Sequence, residues 1–70
     1  MENNNEFLKR IGKRIKIARI TNDMTLEKLM EITGYHRTTI SKIERGRKDA
    51  RILTIKTIAD VFKIEVKDFL

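Results

Sequence analysis

Apolar residues recur along this chain at helical spacing, and no segment alternates apolar and polar positions long enough to make a strand. Phe7, Leu8, Ile11, Ile15 and Ala18 share one face of a predicted first helix over about residues 6–21. Leu29, Met30 and Ile32 predict a short second helix over residues 26–33. Thr25 is its N-cap, because a threonine hydroxyl accepts from an otherwise free amide of the first turn. Gly34 stops that helix, as the residue that takes left-handed backbone without steric cost. A third helix runs over residues 37–45, with Ile40 and Ile43 inward and Gly46 as its stop. Ile52, Ile55, Ile58, Ala59 and Phe62 mark a fourth over residues 52–62, and Val66, Phe69 and Leu70 suggest a final helical turn or a short fifth helix. Residues 1–5 read as a polar, flexible tail, and residues 6–70 as one domain. The fold class is all-α: four or five short helices around a single core.

Length and composition narrow the function. Seventy residues suffice for one core and not for two. With no cysteine and one histidine, a structural metal is disfavoured, and no cofactor is implied. No nucleophile pattern or Gly-rich phosphate loop surrounds that histidine, so the chain does not read as an enzyme, and no small-molecule substrate is evident. The start lacks the basic and apolar regions of a signal peptide, and no run of about 18 apolar residues could span a membrane. The expected compartment is the cytoplasm.

Charge changes the picture more than its total of +6 suggests. Lys9, Arg10, Lys13, Arg14, Lys16 and Arg19 crowd residues 9–19 with no acid among them. Arg37, Lys42, Arg45, Arg47, Lys48 and Arg51 crowd residues 37–51 against only Glu44 and Asp49. Clustered basicity in a small domain points to a polyanion, either nucleic acid or an anionic membrane surface. A membrane role needs bulky apolar residues free to insert, yet the apolar face of helix 1 is claimed by the core. Few aromatics are present, and none form a stacking platform for RNA.

Projection of the third helix at about 100° per residue, with Ile40 inward, separates its faces. Ile43 and His36 fall near Ile40, whereas Thr38, Ser41, Lys42 and Arg45 fall opposite, with Arg37 at the border. That outward face holds no acid and no large apolar group. Short polar side chains let a helix approach the floor of the major groove, where arginine and lysine reach guanine O6 and N7. Two short helices joined by a Gly-containing turn, the second with such a face, make a helix-turn-helix layout.

The stretch Thr33-Gly-Tyr-His-Arg-Thr-Thr-Ile-Ser-Lys-Ile-Glu-Arg-Gly46 resembles the turn, recognition helix and ending of the Cro/C1-type, or Xre, helix-turn-helix domain. The resemblance runs without gaps from Ile11 to Leu70. It implies a compact, lambda-repressor-like bundle of five short helices that binds double-stranded DNA through helix 3. It further implies a homodimer on a two-fold symmetric operator. The expected consequence is transcriptional control, with repression by occlusion of a promoter. An antitoxin or adaptor that uses the same fold for protein–protein contact is the alternative. Four positions depart from the family pattern: Leu26 stands where a glutamine is usual, His36 for serine, Ala50 for proline and Lys63 for glycine.

Site residues follow. Arg37, Thr38, Ser41 and Lys42 are expected to read bases, since the N-terminal part of a recognition helix goes deepest into the groove. Arg45, Arg47, Lys48 and Arg51 are expected at phosphates, because they follow the helix where the DNA backbone passes. Tyr35 packs at the turn with a hydroxyl that could reach a phosphate, and His36 is expected to cap or pack, with a phosphate contact next. Arg19 and Glu44 both lie at the border of a core arc, which is odd for charges unless they pair; the resemblance places an arginine and a glutamate there as well. Leu53, Val61, Phe69 and Leu70 are candidates for a self-complementary dimer patch. Gly12, inside a helix, signals a close helix approach, and Lys63, where the resemblance places a glycine, implies either a strained left-handed residue or a remodelled turn.

Overall fold

The computed structural model describes residues 3–47 and 50–70, and every regular element among them is helical. Helix α1 spans Asn4–Thr21, α2 Leu26–Thr33, α3 Arg37–Glu44 and α4 Ile52–Val61. Among the described residues there are four α-helices rather than five, because Val66–Phe69 forms a single 3-10 turn. Its amides reach back three residues, Asp68 to Glu65 and Leu70 to Lys67, and four residues are too few for an α-helix to propagate.

Local chemistry sets each boundary. Helix α1 begins earlier than periodicity predicts, since the Asn3 side chain accepts from the Glu6 amide at 2.8 Å and Asn4 and Asn5 are helical. It ends where the Asn22 side-chain amide donates to the Ala18 carbonyl at 2.7 Å. Thr25 Oγ1 accepts from the Lys28 amide at 3.0 Å, and Gly34 ends α2 at φ 77°. Thr33 Oγ1 donates to the Leu29 carbonyl and accepts from the Tyr35 amide, which braces the turn between the two helices. Gly46 takes φ 69° after α3, and Lys63 takes φ 57° after α4 without glycine's freedom.

The core comprises Ile11, Ile15, Leu29, Ile40, Ile43, Ile55, Ile58, Ala59, Phe62 and Phe69, with Ala18, Met24, Met30, Tyr35 and Val66 packed around it. Four positions on the predicted apolar faces are exposed instead. They are Phe7, Ile32, Ile52 and Leu70. Phe7 instead lies under the Arg10 guanidinium, 5.2 Å from the ring centroid. Arg10 also donates to the Leu70 carbonyl, tying α1 to the 3-10 turn.

Helices α1 and α3 meet at a glycine from each side. A Cβ on Gly12 would stand 2.2 Å from the Ile43 carbonyl oxygen and 2.7 Å from that of Glu44. A Cβ on Gly46 would stand 2.6 Å from the Lys9 Cα. The end of α3 and its following turn therefore rest directly on the backbone of α1.

Candidate nucleic-acid interface

The same contact fixes which face of α3 looks outward. Ile40, Ile43 and Glu44 are buried, while Arg37, Thr38, Lys42 and Arg45 are exposed and Ser41 is half-buried. Four polar or basic side chains thus share an open surface, bounded at one end by the Thr33–His36 turn and at the other by Gly46.

Glu44 is buried because Arg19 meets it. Arg19 Nε donates to Glu44 Oε2 at 2.8 Å and its NH2 to Oε1 at 3.2 Å, in the two-point geometry that suits a guanidinium and a carboxylate. Arg19 NH1 donates to the Met24 carbonyl at 3.0 Å. One side chain therefore joins α1, the α1–α2 turn and α3. Side-chain exposures of 13% and 6% place the pair largely out of water, where an unpartnered charge would be costly. No buried side-chain polar atom among the described residues lacks a hydrogen-bond partner.

The candidate side chains differ in what they already touch. Arg37 forms an ion pair with Glu27, the second residue of α2, while both stay mostly exposed. Arg45 Nε folds back to the Ser41 carbonyl at 3.3 Å. Arg47 is exposed and lines an open groove with Asn5, Leu8, Lys9 and Gly46. Arg51 is the exposed N-cap of α4, and Tyr35 is half-buried against the core. Lys48 lies outside the described residues.

His36 differs from expectation. It is exposed, and its side chain makes no capping hydrogen bond. Its backbone is extended at φ −70° and ψ 151°, so the helical projection that set it beside Ile40 does not hold one residue before the helix begins. Phe69 also departs: at 1% exposure it belongs to the core and is unavailable to a dimer patch. Leu53 and Leu70 are open at 72% and 46%, Val61 is half-buried, and Ile52 adds a further exposed apolar group beside Leu53.

Sequence reasoning missed Glu27. Its position at the start of α2 and that of Arg37 at the start of α3 were both legible, yet their meeting depends on the angle between the helices. No group of acids and histidine that could hold a metal occurs among the described residues, and no helix there is long and apolar enough to cross a membrane.

The pattern of the HTH_3 helix-turn-helix family matches residues 15–69, which include α2, the turn and α3. The chain belongs to this Cro/C1-type family. It is a family of DNA-binding transcription regulators and not a class of enzymes. No curated protein matches the sequence. Among solved structures, the restriction-modification controller protein C.AhdI from Aeromonas hydrophila is similar at 24% identity, with 90% of this chain and 96% of that one aligned and a TM-score of 0.84. An HTH_3 family transcriptional regulator from Vibrio cholerae aligns over 96% of this chain at 24% identity and a TM-score of 0.87, and this chain spans only 38% of its length. The DNA-binding domain of BldD aligns over all of this chain and 99% of its own at 19% identity, with a TM-score of 0.86. At these identities the three structures establish a shared HTH_3 fold.

Proposed function

We propose that this HTH_3 protein binds double-stranded DNA sequence-specifically, with α3 in the major groove, and represses transcription by occluding a promoter. The observation that carries the reading is the open face of Arg37, Thr38, Ser41 and Lys42, with no acid contributed by α3 itself. Arg37 and Thr38, in its first turn, go deepest and read bases with Ser41 and Lys42. Arg45, Arg47 and Arg51 hold phosphates as the chain leaves the groove, with Tyr35 and His36 flanking the other end. Two copies associate through Leu53, Val61 and Leu70, so that recognition helices about 34 Å apart meet half-sites one DNA turn apart. The 72% exposure of Leu53 supports this, as a large apolar side chain left mostly open to solvent.

Selection of bound duplexes from a random pool tests both specificity and symmetry. On the selected site, Arg37→Ala costs about 1–3 kcal/mol and relaxes preference at one base pair. Arg47→Ala weakens all duplexes nearly equally and reduces the salt slope by about one unit per site. If Arg37→Ala lowers affinity for selected and scrambled DNA by the same factor, the base-reading assignment is wrong.

A further inference from the structure

The ion pair between Glu27 and Arg37 joins the first turns of α2 and α3, the two helix ends that flank the proposed base-reading surface. An acid there is unexpected. DNA phosphates approach this face, and a carboxylate near them opposes binding by simple repulsion. Glu27 is also unnecessary as a cap, since Thr25 already satisfies the Lys28 amide. The α2 acid Glu31 has its own partner, Lys28 at 3.6 Å, on the helix surface. Glu27 instead reaches across to the other helix of the motif and contacts a side chain on its outward face.

Consider Arg37 without that contact. A long cation at the mouth of the groove can turn to any nearby phosphate or base, so it adds affinity with little discrimination. A guanidinium offers five N–H donors in a fixed plane, and two of them suffice for guanine O6 and N7. The Glu27 carboxylate accepts from NH1. That contact narrows the rotamers open to Arg37 and leaves its other donors to meet the base.

We infer that Glu27 is a specificity-determining residue, which positions Arg37 to read a single guanine at the edge of each half-site and lowers non-specific affinity in return. The inference rests on the proposed reading of α3. Holding one rotamer-rich side chain in place before binding is worth about threefold to tenfold in affinity for the correct site. That factor should appear as discrimination at one base pair.

The test measures affinity of the full chain, Glu27→Ala, Glu27→Gln, Arg37→Ala and the double variant. Each is measured on the selected site, on the three substitutions of the guanine that Arg37 reads, and on scrambled DNA. Glu27 and Arg37 are both mostly exposed, and thermal unfolding confirms that each variant is folded. Glu27→Ala is expected to lower discrimination at that base pair about threefold to tenfold while scrambled DNA binds as well or better. Glu27→Gln, which keeps an acceptor oxygen at the same reach, should retain part of the discrimination. With Arg37→Ala already present, removing Glu27 should change discrimination no further. Equal tightening of every duplex by Glu27→Ala would show an acid that only repels phosphate, and the inference would be wrong. It would be equally wrong if preference changed at a different base pair, which would mean that Glu27 reads a base directly. Failure of the underlying reading is distinct: Arg37→Ala would then weaken all duplexes alike.

Discussion

Replacing Gly12 with alanine sets two physical effects of opposite sign against each other. In an exposed helix interior the change stabilises by about 1 kcal/mol, because glycine has more backbone freedom to lose. At Gly12 the new Cβ would stand 2.2 Å from the Ile43 carbonyl oxygen, 2.7 Å from that of Glu44 and 2.9 Å from the Glu44 carbonyl carbon. Ordinary contact begins at 3.4 Å, so the nearest pair is short by about 1.2 Å. All three atoms are backbone and cannot rotate away. The end of α3 must move, or α1 must, and forced overpacking of this kind costs about 1–3 kcal/mol and occasionally more. A backbone contact this short falls at the upper end, which leaves a net loss of about 2 kcal/mol. A 70-residue domain has about 4–10 kcal/mol in total, so that is a large fraction. Thermal unfolding followed by far-UV circular dichroism should show a midpoint lowered by about 8–16 °C. Two comparators isolate the cause. Lys13→Ala, at an exposed neighbouring position, should stay within about 0.5 kcal/mol of the parent. Gly34→Ala has nothing within 4 Å but a φ of 77°, so it should lose about 1–2 kcal/mol from backbone conformation alone. If Gly12→Ala proves as stable as the parent or more so, helix propensity has won, and the two backbones do not meet as described.

Three further outcomes follow from the same structure. Removing either Arg19 or Glu44 strands the other charge and should cost about 3–5 kcal/mol, whereas replacing both with apolar residues should cost far less; strict additivity in a double-mutant cycle by urea unfolding would show that they act separately. His36→Ser supplies the capping oxygen that α3 lacks and should raise stability by about 0.5–1 kcal/mol, a gain that an unchanged midpoint would contradict. Leu53→Asp should leave monomer stability nearly unchanged, since the side chain is 72% exposed, and should abolish the proposed dimer in sedimentation equilibrium; a dimer of undiminished affinity would move the interface elsewhere.

The four helices were legible because each has an apolar stripe at helical spacing. Gly34 and Gly46 were readable as stops because few residues tolerate positive φ, whereas Lys63 offered a left-handed residue or a remodelled turn only through the glycine that the family resemblance places there. Gly12 was readable as a close approach because glycine has no other reason to sit in a helix interior. Periodicity says which residues share a face but not how far packing covers that face, and Phe7, Ile32, Ile52 and Leu70 stay exposed. The early start of α1 did carry a signal, an asparagine at position 3 followed three residues later by Glu6. Phe69 illustrates a different limit. An aromatic residue near the end of the sequence fits a core or an interface equally well until the packing of the last turn is known. The outward face of α3 was legible from its own projection, whereas the carboxylate that reaches it from α2 was not, since that meeting depends on how two helices cross.

The seat that α1 provides for α3 bears on how the surface comes into being. Helix α3 has eight residues, fewer than the roughly 12–15 an isolated helix needs to persist in water. What holds it is a set of contacts distant in sequence: Arg19 with Glu44, 25 positions apart, and the two glycine approaches, which span more. The chain between must close into a loop, at an entropic cost, before those contacts repay it. Helix α3 thus depends on the rest of the bundle for its persistence. In folding and unfolding alike, the surface proposed to meet DNA appears and vanishes with the domain as a single cooperative unit.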